Sequence, residues 1–226
     1  MRDDICTIPV SEVFEENDGC PICRMRDTVE ERIISYILGD AMMEPDVRIE
    51  TNKSGFCTAH YDQMMAHRGR LQLALMLETH VKEIGSQIFE KKMFSNADKK
   101  ASSTKKVIDS CFICEKVNWG MDRMIDTIYR CYEKERDFRE LFNNQPQFCM
   151  HHFEMLASGA DKKKMPKYVS EFKENLTRIT ASYVKSLGED ISKYCSMYDY
   201  RNKGSHAWGN SADAVERAVS FLTGKI

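Results

Sequence analysis

Residues 20–23 read Cys20-Pro21-Ile22-Cys23, and residues 57–60 read Cys57-Thr58-Ala59-His60. The same order returns later in the chain as Cys111-Phe112-Ile113-Cys114 and Cys149-Met150-His151-His152. The two motifs of a set are separated by thirty-three residues in the first half and by thirty-four in the second. Each set supplies three thiols and one imidazole, which are the ligands of a closed tetrahedral zinc site.

The sequence therefore predicts two metal ions per chain, one in each half. The predicted ligands are Cys20, Cys23, Cys57, His60, Cys111, Cys114, Cys149 and His152. We expect the chain to return within each half, so that Cys57 lies beside Cys23 and each metal holds the starts of two helices together. Four protein ligands leave no open position on the ion, which favours structural zinc over catalytic zinc. An iron–sulfur cluster in which histidine replaces one cysteine is the alternative.

The motif sets belong to a longer internal repeat with an offset of about 91 residues. At this offset Phe56-Cys57 aligns with Phe148-Cys149, and the alignment selects His152 rather than His151 as the second imidazole ligand. We predict four regions along the chain: a first metal-binding helical repeat (12–94), a linker (95–106), a second metal-binding helical repeat (107–198), and a C-terminal tail with a short helix that packs on the bundle (199–226).

Hydrophobic periodicity indicates helices throughout. Apolar residues recur at steps of three and four over residues 71–92 and again over residues 166–198, which predicts two long amphipathic helices. No sustained alternation typical of β-strands is present. The predicted fold class is all-α, with a duplicated metal-stapled helical unit that forms one helical bundle.

Composition excludes several classes of function. The net charge is −2, and two filled Cys₃His zinc sites would bring it to about −4, which argues against general nucleic-acid binding. The N-terminal residues lack the apolar core of a secretory signal, and no apolar run approaches the length of a membrane span. We therefore expect a cytoplasmic protein that does not enter the membrane. The cysteines outside the motifs, Cys6, Cys131 and Cys195, are interpreted as small buried apolar residues.

A cluster of polar and aromatic residues near the C-terminus is a second candidate site. It contains Asp199, Tyr200, Arg201, Asn202, Lys203, His206 and Trp208. This combination could orient an anionic or planar ligand. In the alternative structural interpretation, Arg201 pairs with Asp199 while Tyr200 and Trp208 pack the tail onto the bundle. In that case we expect Arg201 and Trp208 to be largely buried.

The order of motifs resembles an uncharacterised domain family of anaerobic Gram-positive bacteria. The residues that carry the resemblance are the two motif sets, the segment Asp199-Tyr200-Arg201-Asn202-Lys203, and Trp208-Gly209-Asn210 before the Asp213-Ala214-x-x-Arg217-Ala218 helix. The resemblance extends from Cys20 to Gly224. Because the family has no assigned activity, the resemblance implies a layout and not a function.

Three functions remain open from the sequence. Closed metal sites, modest charge and the lack of a catalytic constellation favour a non-enzymatic module that binds a protein partner. A small-molecule binder or enzyme that uses the C-terminal cluster is the second hypothesis. An iron–sulfur redox protein is the third, and visible absorption would distinguish it from a zinc protein.

Overall fold

In the computed structural model of the protein, residues 7–90, 97–198 and 208–224 are described, and they contain eleven α-helices and no strand. The predicted all-α fold class is therefore confirmed. The helices are α1 (Thr7–Glu15), α2 (Pro21–Leu38), α3 (Pro45–Ser54), α4 (Thr58–Ala66), α5 (Arg70–Ile84), α6 (Ala97–Ile108), α7 (Phe112–Lys134), α8 (Arg136–Asn143), α9 (Met150–Gly159), α10 (Val169–Met197) and α11 (Ala214–Thr223). Short 3₁₀ segments span Asp40–Met43 and Gly209–Ser211, and a π-helical turn spans Gly85–Glu90.

The chain forms two compact units. The first unit comprises Met1–Asp27 and Met121–Ile226, and the second comprises Thr28–Gly120. Each unit takes residues from both sequence repeats, and the division points fall within α2 and α7. The boundaries of the compact units differ from those of the four predicted regions, which are 12–94, 95–106, 107–198 and 199–226. The division of the chain into two repeats, a linker and a tail stays a prediction.

Within the segment predicted as a linker, residues 95–106, the described residues 97–106 are helical. Helix α6 covers Ala97–Ile108 and carries Lys105 and Lys106 in its last turn. The described part of this stretch is thus helical, and its role as a linker stays a prediction. Its alanine, serine and lysine residues are compatible with a helix, and neither glycine nor proline interrupts it.

The second unit is built around α5. This helix packs on α3 and α4, and its Leu73 and Met76 side chains are buried. Arg48 on α3 donates hydrogen bonds to the Leu75 carbonyl and to the Thr79 hydroxyl, both at 2.7 Å. Apolar contact and charged hydrogen bonds thus hold the α3–α5 pair, and this pair carries the loop that leads into α4.

The first unit has an aromatic core. Its fully buried rings include Phe14, Tyr129, Tyr132, Phe138, Phe142, Phe148 and Phe172. Phe142 lies at the centre, with ring centroids 4.8 Å from Phe172, 4.9 Å from Phe148 and 5.2 Å from Tyr132. Because Phe148 directly precedes Cys149, this core supports the start of α9.

We expect Phe142→Ala to lower the free energy of unfolding by about 3–5 kcal/mol, because it leaves a ring-sized cavity in a closely packed core. Phe89→Ala is the control, since the Phe89 side chain is 59% exposed and its loss should cost little. Chemical denaturation of both variants measures the difference. Equal costs for the two substitutions would contradict the central position of Phe142.

Helix α11 packs on α9 and α10 within the first unit. The Phe221 ring lies 5.6 Å from the Tyr183 ring, and Arg217 forms an ion pair with Asp190 at 2.9 Å. The helix ends at Gly224, whose φ of 68° lies in the left-handed region that favours glycine. The C-terminal helix is therefore attached to the same helix, α9, that begins after Cys149. Among the described residues, no helix has the length and apolar character needed to cross a lipid bilayer.

Candidate metal centres

Two groups of metal-ligating side chains lie in the structure. Cluster 1 consists of Cys20, Cys23, Cys149 and His152, and cluster 2 consists of Cys57, His60, Cys111 and Cys114. In each cluster the four candidate ligand atoms lie within 4.8 Å of one another. All eight residues predicted from the sequence therefore belong to one of two Cys₃His groups, which have the composition to hold a metal ion.

The pairing of the motifs differs from the prediction. Cluster 1 joins the Cys-x-x-Cys motif of the first repeat to the Cys-x-x-His motif of the second, and cluster 2 joins the two remaining motifs. The expectation that Cys57 lies beside Cys23 is wrong, because Cys23 belongs to cluster 1 and Cys57 to cluster 2. The Cys57 sulfur lies 3.9 Å from the Cys114 sulfur. Both repeats carry the same ligand types at nearly the same spacing, so local sequence does not indicate which motifs meet.

Cluster 1 brings the starts of α2 and α9 together. Cys20 immediately precedes α2, and Cys23 lies in its first turn. Cys149 is the N-cap of α9, and His152 follows three residues later on the same helical face. In the first unit, the helix N-termini that meet here place partial positive charge near the sulfur atoms.

Cluster 2 repeats this construction with α4 and α7. Cys57 is the N-cap of α4, and His60 lies in the first turn of that helix. Cys111 immediately precedes α7, and the backbone N–H of Cys114 lies 3.5 Å from the Cys111 sulfur. Each cluster therefore contains one cysteine N-cap and one Cys-x-x-Cys turn, and in both the metal would clamp two helix starts.

The distances within the clusters agree with one bound ion. In a tetrahedral zinc site the bonds from zinc to sulfur are about 2.3 Å long and those to nitrogen about 2.0–2.1 Å. Two ligand sulfurs are then about 3.8 Å apart, and a sulfur and a nitrogen are about 3.5–3.6 Å apart. In cluster 1 the Cys23 and Cys149 sulfurs are 3.6 Å apart, and the sulfur–His152 Nδ1 distances are 3.2–3.5 Å. In cluster 2 the sulfur–His60 Nδ1 distances are 3.1–3.5 Å. Both histidines face the sulfurs through Nδ1.

The two clusters differ in exposure. All four residues of cluster 1 are buried, whereas Cys57 and Cys114 of cluster 2 are partly exposed. The C-terminal end of α11 contributes to the enclosure of cluster 1, because the Gly224 carbonyl oxygen lies 3.5 Å from the Cys23 sulfur. A Cβ at position 224 would lie 3.4 Å from the Cys149 sulfur. Glycine therefore suits this position both by its φ and by its lack of a side chain.

Without a metal ion, the electrostatics of cluster 1 favour one thiolate and two neutral thiols among its three cysteines. Burial raises the pKa of Cys20 to about 11. The contact between Cys23 and Cys149 raises the pKa of Cys23. The hydrogen bonds from Cys20 and Cys23 hold the pKa of Cys149 far below that of an ordinary thiol. Adjacent thiolates repel each other, so a central dication is needed for all three to ionise together.

Cluster 2 shows the same pattern. Burial opposes ionisation of Cys111, but the hydrogen bond with His60 and the Cys114 backbone N–H outweigh burial and lower the pKa of Cys111 to about 6. Burial raises the pKa of Cys114 to about 12. Burial also disfavours the imidazolium of His60, but its contacts with Cys111 and Glu30 prevail and raise the His60 pKa to about 9. A metal ion would displace this proton from Nδ1.

Glu30 is a neighbour of cluster 2 that the sequence analysis missed. Its Oε1 accepts a hydrogen bond from His60 Nε2 at 2.7 Å, and its Oε2 accepts one from the Gln63 amide at 3.2 Å. The repeat offers no signal for this residue, since the aligned position in the second half is Met121. Only the approach of α2 to α4 within the second unit brings Glu30 to the site.

Other predicted residues have different outcomes. His151 is exposed and lies outside both clusters, as the repeat alignment indicated. Cys131 is buried as predicted, but Cys195 is exposed, so its interpretation as a buried apolar residue is wrong. It lies near the end of α10, where the helix presents a solvent-facing side. Cys6 lies outside the described residues.

The C-terminal cluster falls largely outside the described residues, which include neither Asp199, Tyr200, Arg201, Asn202 and Lys203 nor His206. Trp208 is described, and its ring lies 5.4 Å from Tyr194 and 5.9 Å from Tyr198. The ring remains 39% exposed, so the expectation that Trp208 is largely buried is wrong. Tyr194 lies in the last turn of α10, and Tyr198 is the C-cap residue of this helix.

The family of the chain follows from a comparison with protein-family models. The model of a family of unknown function, DUF6062, matches residues 1–226. The chain belongs to this family. No curated protein and no solved structure matches the chain. Membership of DUF6062 confirms the resemblance to an uncharacterised family. In this member of the family, the structure brings two Cys₃His clusters together.

Proposed function

We propose that this DUF6062 protein is a helical scaffold held together by two structural zinc ions, one in cluster 1 and one in cluster 2. The observation that carries the proposal is the presence of two complete four-ligand sets with the spacing of a tetrahedral ion. Thiolate and imidazole ligands suit Zn²⁺, and a Cys₃His set is typical of structural zinc. A reducing compartment such as the cytoplasm would keep the six ligand thiols available for metal.

The spacing of the ligand atoms supports zinc over a polynuclear iron–sulfur cluster. In cluster 2 the Cys57 and Cys114 sulfurs are 3.9 Å apart, and in cluster 1 the Cys23 and Cys149 sulfurs are 3.6 Å apart. A polynuclear cluster places several iron and sulfide atoms between the cysteine sulfurs and would spread them further. These short separations leave room for one ion at the centre.

A structural role is supported by the completeness of each shell. Three sulfurs and one nitrogen fill the tetrahedral positions, and no position remains for a reactive water. The ligands also join segments that are distant in the chain, since Cys23 and Cys149 are 126 residues apart and His60 and Cys111 are 51 residues apart. An ion that closes such long loops stabilises the folded chain against the unfolded one.

For the biological role, we propose an interaction module that binds a protein partner through the second unit. A groove of about 380 Å³ in this unit has mainly apolar walls. The aromatic side chains Tyr36 and Trp119 line it and are 56% and 61% exposed, a composition typical of binding surfaces. Phe112, which follows Cys111 directly, forms part of the wall. Metal in cluster 2 would thus hold one wall of the groove in place.

We expect elemental analysis of the purified protein to find about two zinc ions per chain, because the structure offers two complete ligand sets. The protein should be colourless, since Zn²⁺ has a filled d shell. Purification without oxygen provides the control against loss of an oxygen-sensitive cluster. About one ion per chain, or iron with visible absorption, would contradict the proposal.

A further inference from the structure

Cluster 2 differs from cluster 1 in the surroundings of its histidine. The Nδ1 atom of His60 faces the sulfurs of Cys57, Cys111 and Cys114, so its ring must present Nε2 away from the metal position. That Nε2 lies 2.7 Å from Glu30 Oε1. A carboxylate only accepts hydrogen bonds, so this contact places a proton on His60 Nε2, and in the metal-bound state the Nδ1 lone pair is left for the ion.

Glu30 is itself held in place. Its second oxygen accepts a hydrogen bond from Gln63 at 3.2 Å, and Gln63 lies three residues after His60 on the same face of α4. The Glu30 side chain is 23% exposed, so water competes only partly for its oxygens. The carboxylate on α2 therefore bridges two side chains of α4 and restricts the orientation of the imidazole ring.

Cluster 1 has no equivalent arrangement in the part of the chain that the structure describes. His152 also directs Nδ1 at the sulfurs, but no hydrogen bond joins its Nε2 to a described residue. The residue aligned with Glu30 in the second repeat is Met121, which cannot accept such a bond well. The two Cys₃His sets thus have the same ligand types but differ in the contacts that orient the histidine.

We propose that Glu30 is a positioning residue for the metal of cluster 2. Glu30 selects the tautomer of His60 that binds metal through Nδ1, and it strengthens metal binding at cluster 2 but not at cluster 1. This inference rests on the proposed metal-binding function. Carboxylate partners of ligating histidines typically contribute about 10-fold to 100-fold to metal affinity. Because cluster 2 has partly exposed cysteines, the carboxylate compensates for weaker enclosure of the ion.

The test uses the full chain loaded with ¹¹³Cd²⁺, whose NMR resonance reports each site separately. The wild-type protein should show two resonances, and His60→Ala should remove the one that belongs to cluster 2. Glu30→Gln should shift this resonance, move the Nε2–H proton signal of His60, and weaken cadmium binding at cluster 2 by about 10-fold or more in chelator competition. The cluster 1 resonance should not change.

Two further variants make the result specific. Glu31→Gln is the matched control, because Glu31 is the exposed neighbour of Glu30 and contacts His67 instead, at 3.7 Å. It should leave both resonances in place. Gln63→Ala should shift the cluster 2 resonance in the same direction as Glu30→Gln but by less, which covers the case that Glu30→Gln fails to fold.

The outcomes separate the two proposals. Two cadmium resonances that are unaffected by Glu30→Gln and Gln63→Ala would overturn the role of Glu30 and leave the metal sites standing. Equal changes at both resonances would also overturn it, since the effect would then be global. A wild-type protein that binds no cadmium would overturn the metal-binding function itself.

Discussion

The Cys149→Ser variant should lose one zinc ion and most of its margin of stability. Cys149 supplies one sulfur of cluster 1, and its partners Cys20 and Cys23 are 129 and 126 residues away in the chain. If the metal is treated as a cross-link, the loss of a loop of this length costs about 5 kcal/mol in the free energy of unfolding. That is comparable with the whole stability of many domains, roughly 5–15 kcal/mol.

Loss of this ligand has a second cost, because the remaining side chains are buried. Cys20, Cys23 and His152 would stay enclosed without the ion that their sulfur and nitrogen atoms bind, so buried polar groups would lose their partner. Thermal melting and zinc content of Cys149→Ser measure both effects. Cys195→Ser is the control, since Cys195 is exposed and outside both clusters. Two zinc ions and a wild-type melting temperature in Cys149→Ser would show that cluster 1 is not a structural metal site.

The adjacent histidines provide a stricter comparison within the same helix turn. His152→Ala should behave like Cys149→Ser, because His152 Nδ1 lies 3.2 Å from the Cys149 sulfur. His151→Ala should retain both ions and melt close to the wild-type protein, since His151 is exposed. The same change one residue apart therefore distinguishes a ligand from its neighbour.

Sequence reasoning identified the helices because apolar periodicity is a local property. The pattern over residues 166–198 predicted one long helix, and α10 spans Val169–Met197. The pattern over 71–92 predicted another, and α5 spans Arg70–Ile84 before the π-helical turn to Glu90. The segment rich in serine and lysine that was predicted as a linker contributes residues 97–106 to α6, and composition gave no sign of this helix. Alanine and lysine favour a helix, and no glycine or proline interrupts this one.

The candidate ligands could likewise be found from short motifs. Cys-x-x-Cys and Cys-x-x-His bring their two members to one helix turn whatever the rest of the chain does. The partner of each motif could not be found in this way, since both repeats offer the same ligand types at nearly the same spacing. The choice depends on which helix starts meet within each unit, and this is a long-range property of packing.

Residues that support the clusters were also invisible to sequence reasoning. Glu30 contacts His60 across thirty residues, and Gly224 approaches Cys23 across 201 residues. Neither residue lies in a motif, and neither is repeated at the aligned position. Contacts of this kind depend on the tertiary structure, and a single sequence carries no separate signal for them.

The largest effect on metal content is expected from pairs of ligand substitutions, which test the exchanged pairing of the motifs. Cys57→Ser/Cys111→Ser removes two ligands from cluster 2 and none from cluster 1, so one zinc ion should remain. Cys20→Ser/Cys57→Ser removes one ligand from each cluster, and both ions should be lost or bound weakly. The two variants carry the same number of substitutions, and each retains four of the six cysteine ligands.

Zinc per chain in these two double variants is the measurement that tests the central claim most directly. The exchanged pairing predicts about one ion in Cys57→Ser/Cys111→Ser and close to none in Cys20→Ser/Cys57→Ser. Pairing within each repeat predicts the reverse, because Cys20 and Cys57 would then share a site while Cys57 and Cys111 would not. One retained ion in Cys20→Ser/Cys57→Ser, with none in Cys57→Ser/Cys111→Ser, would contradict the structure of both clusters.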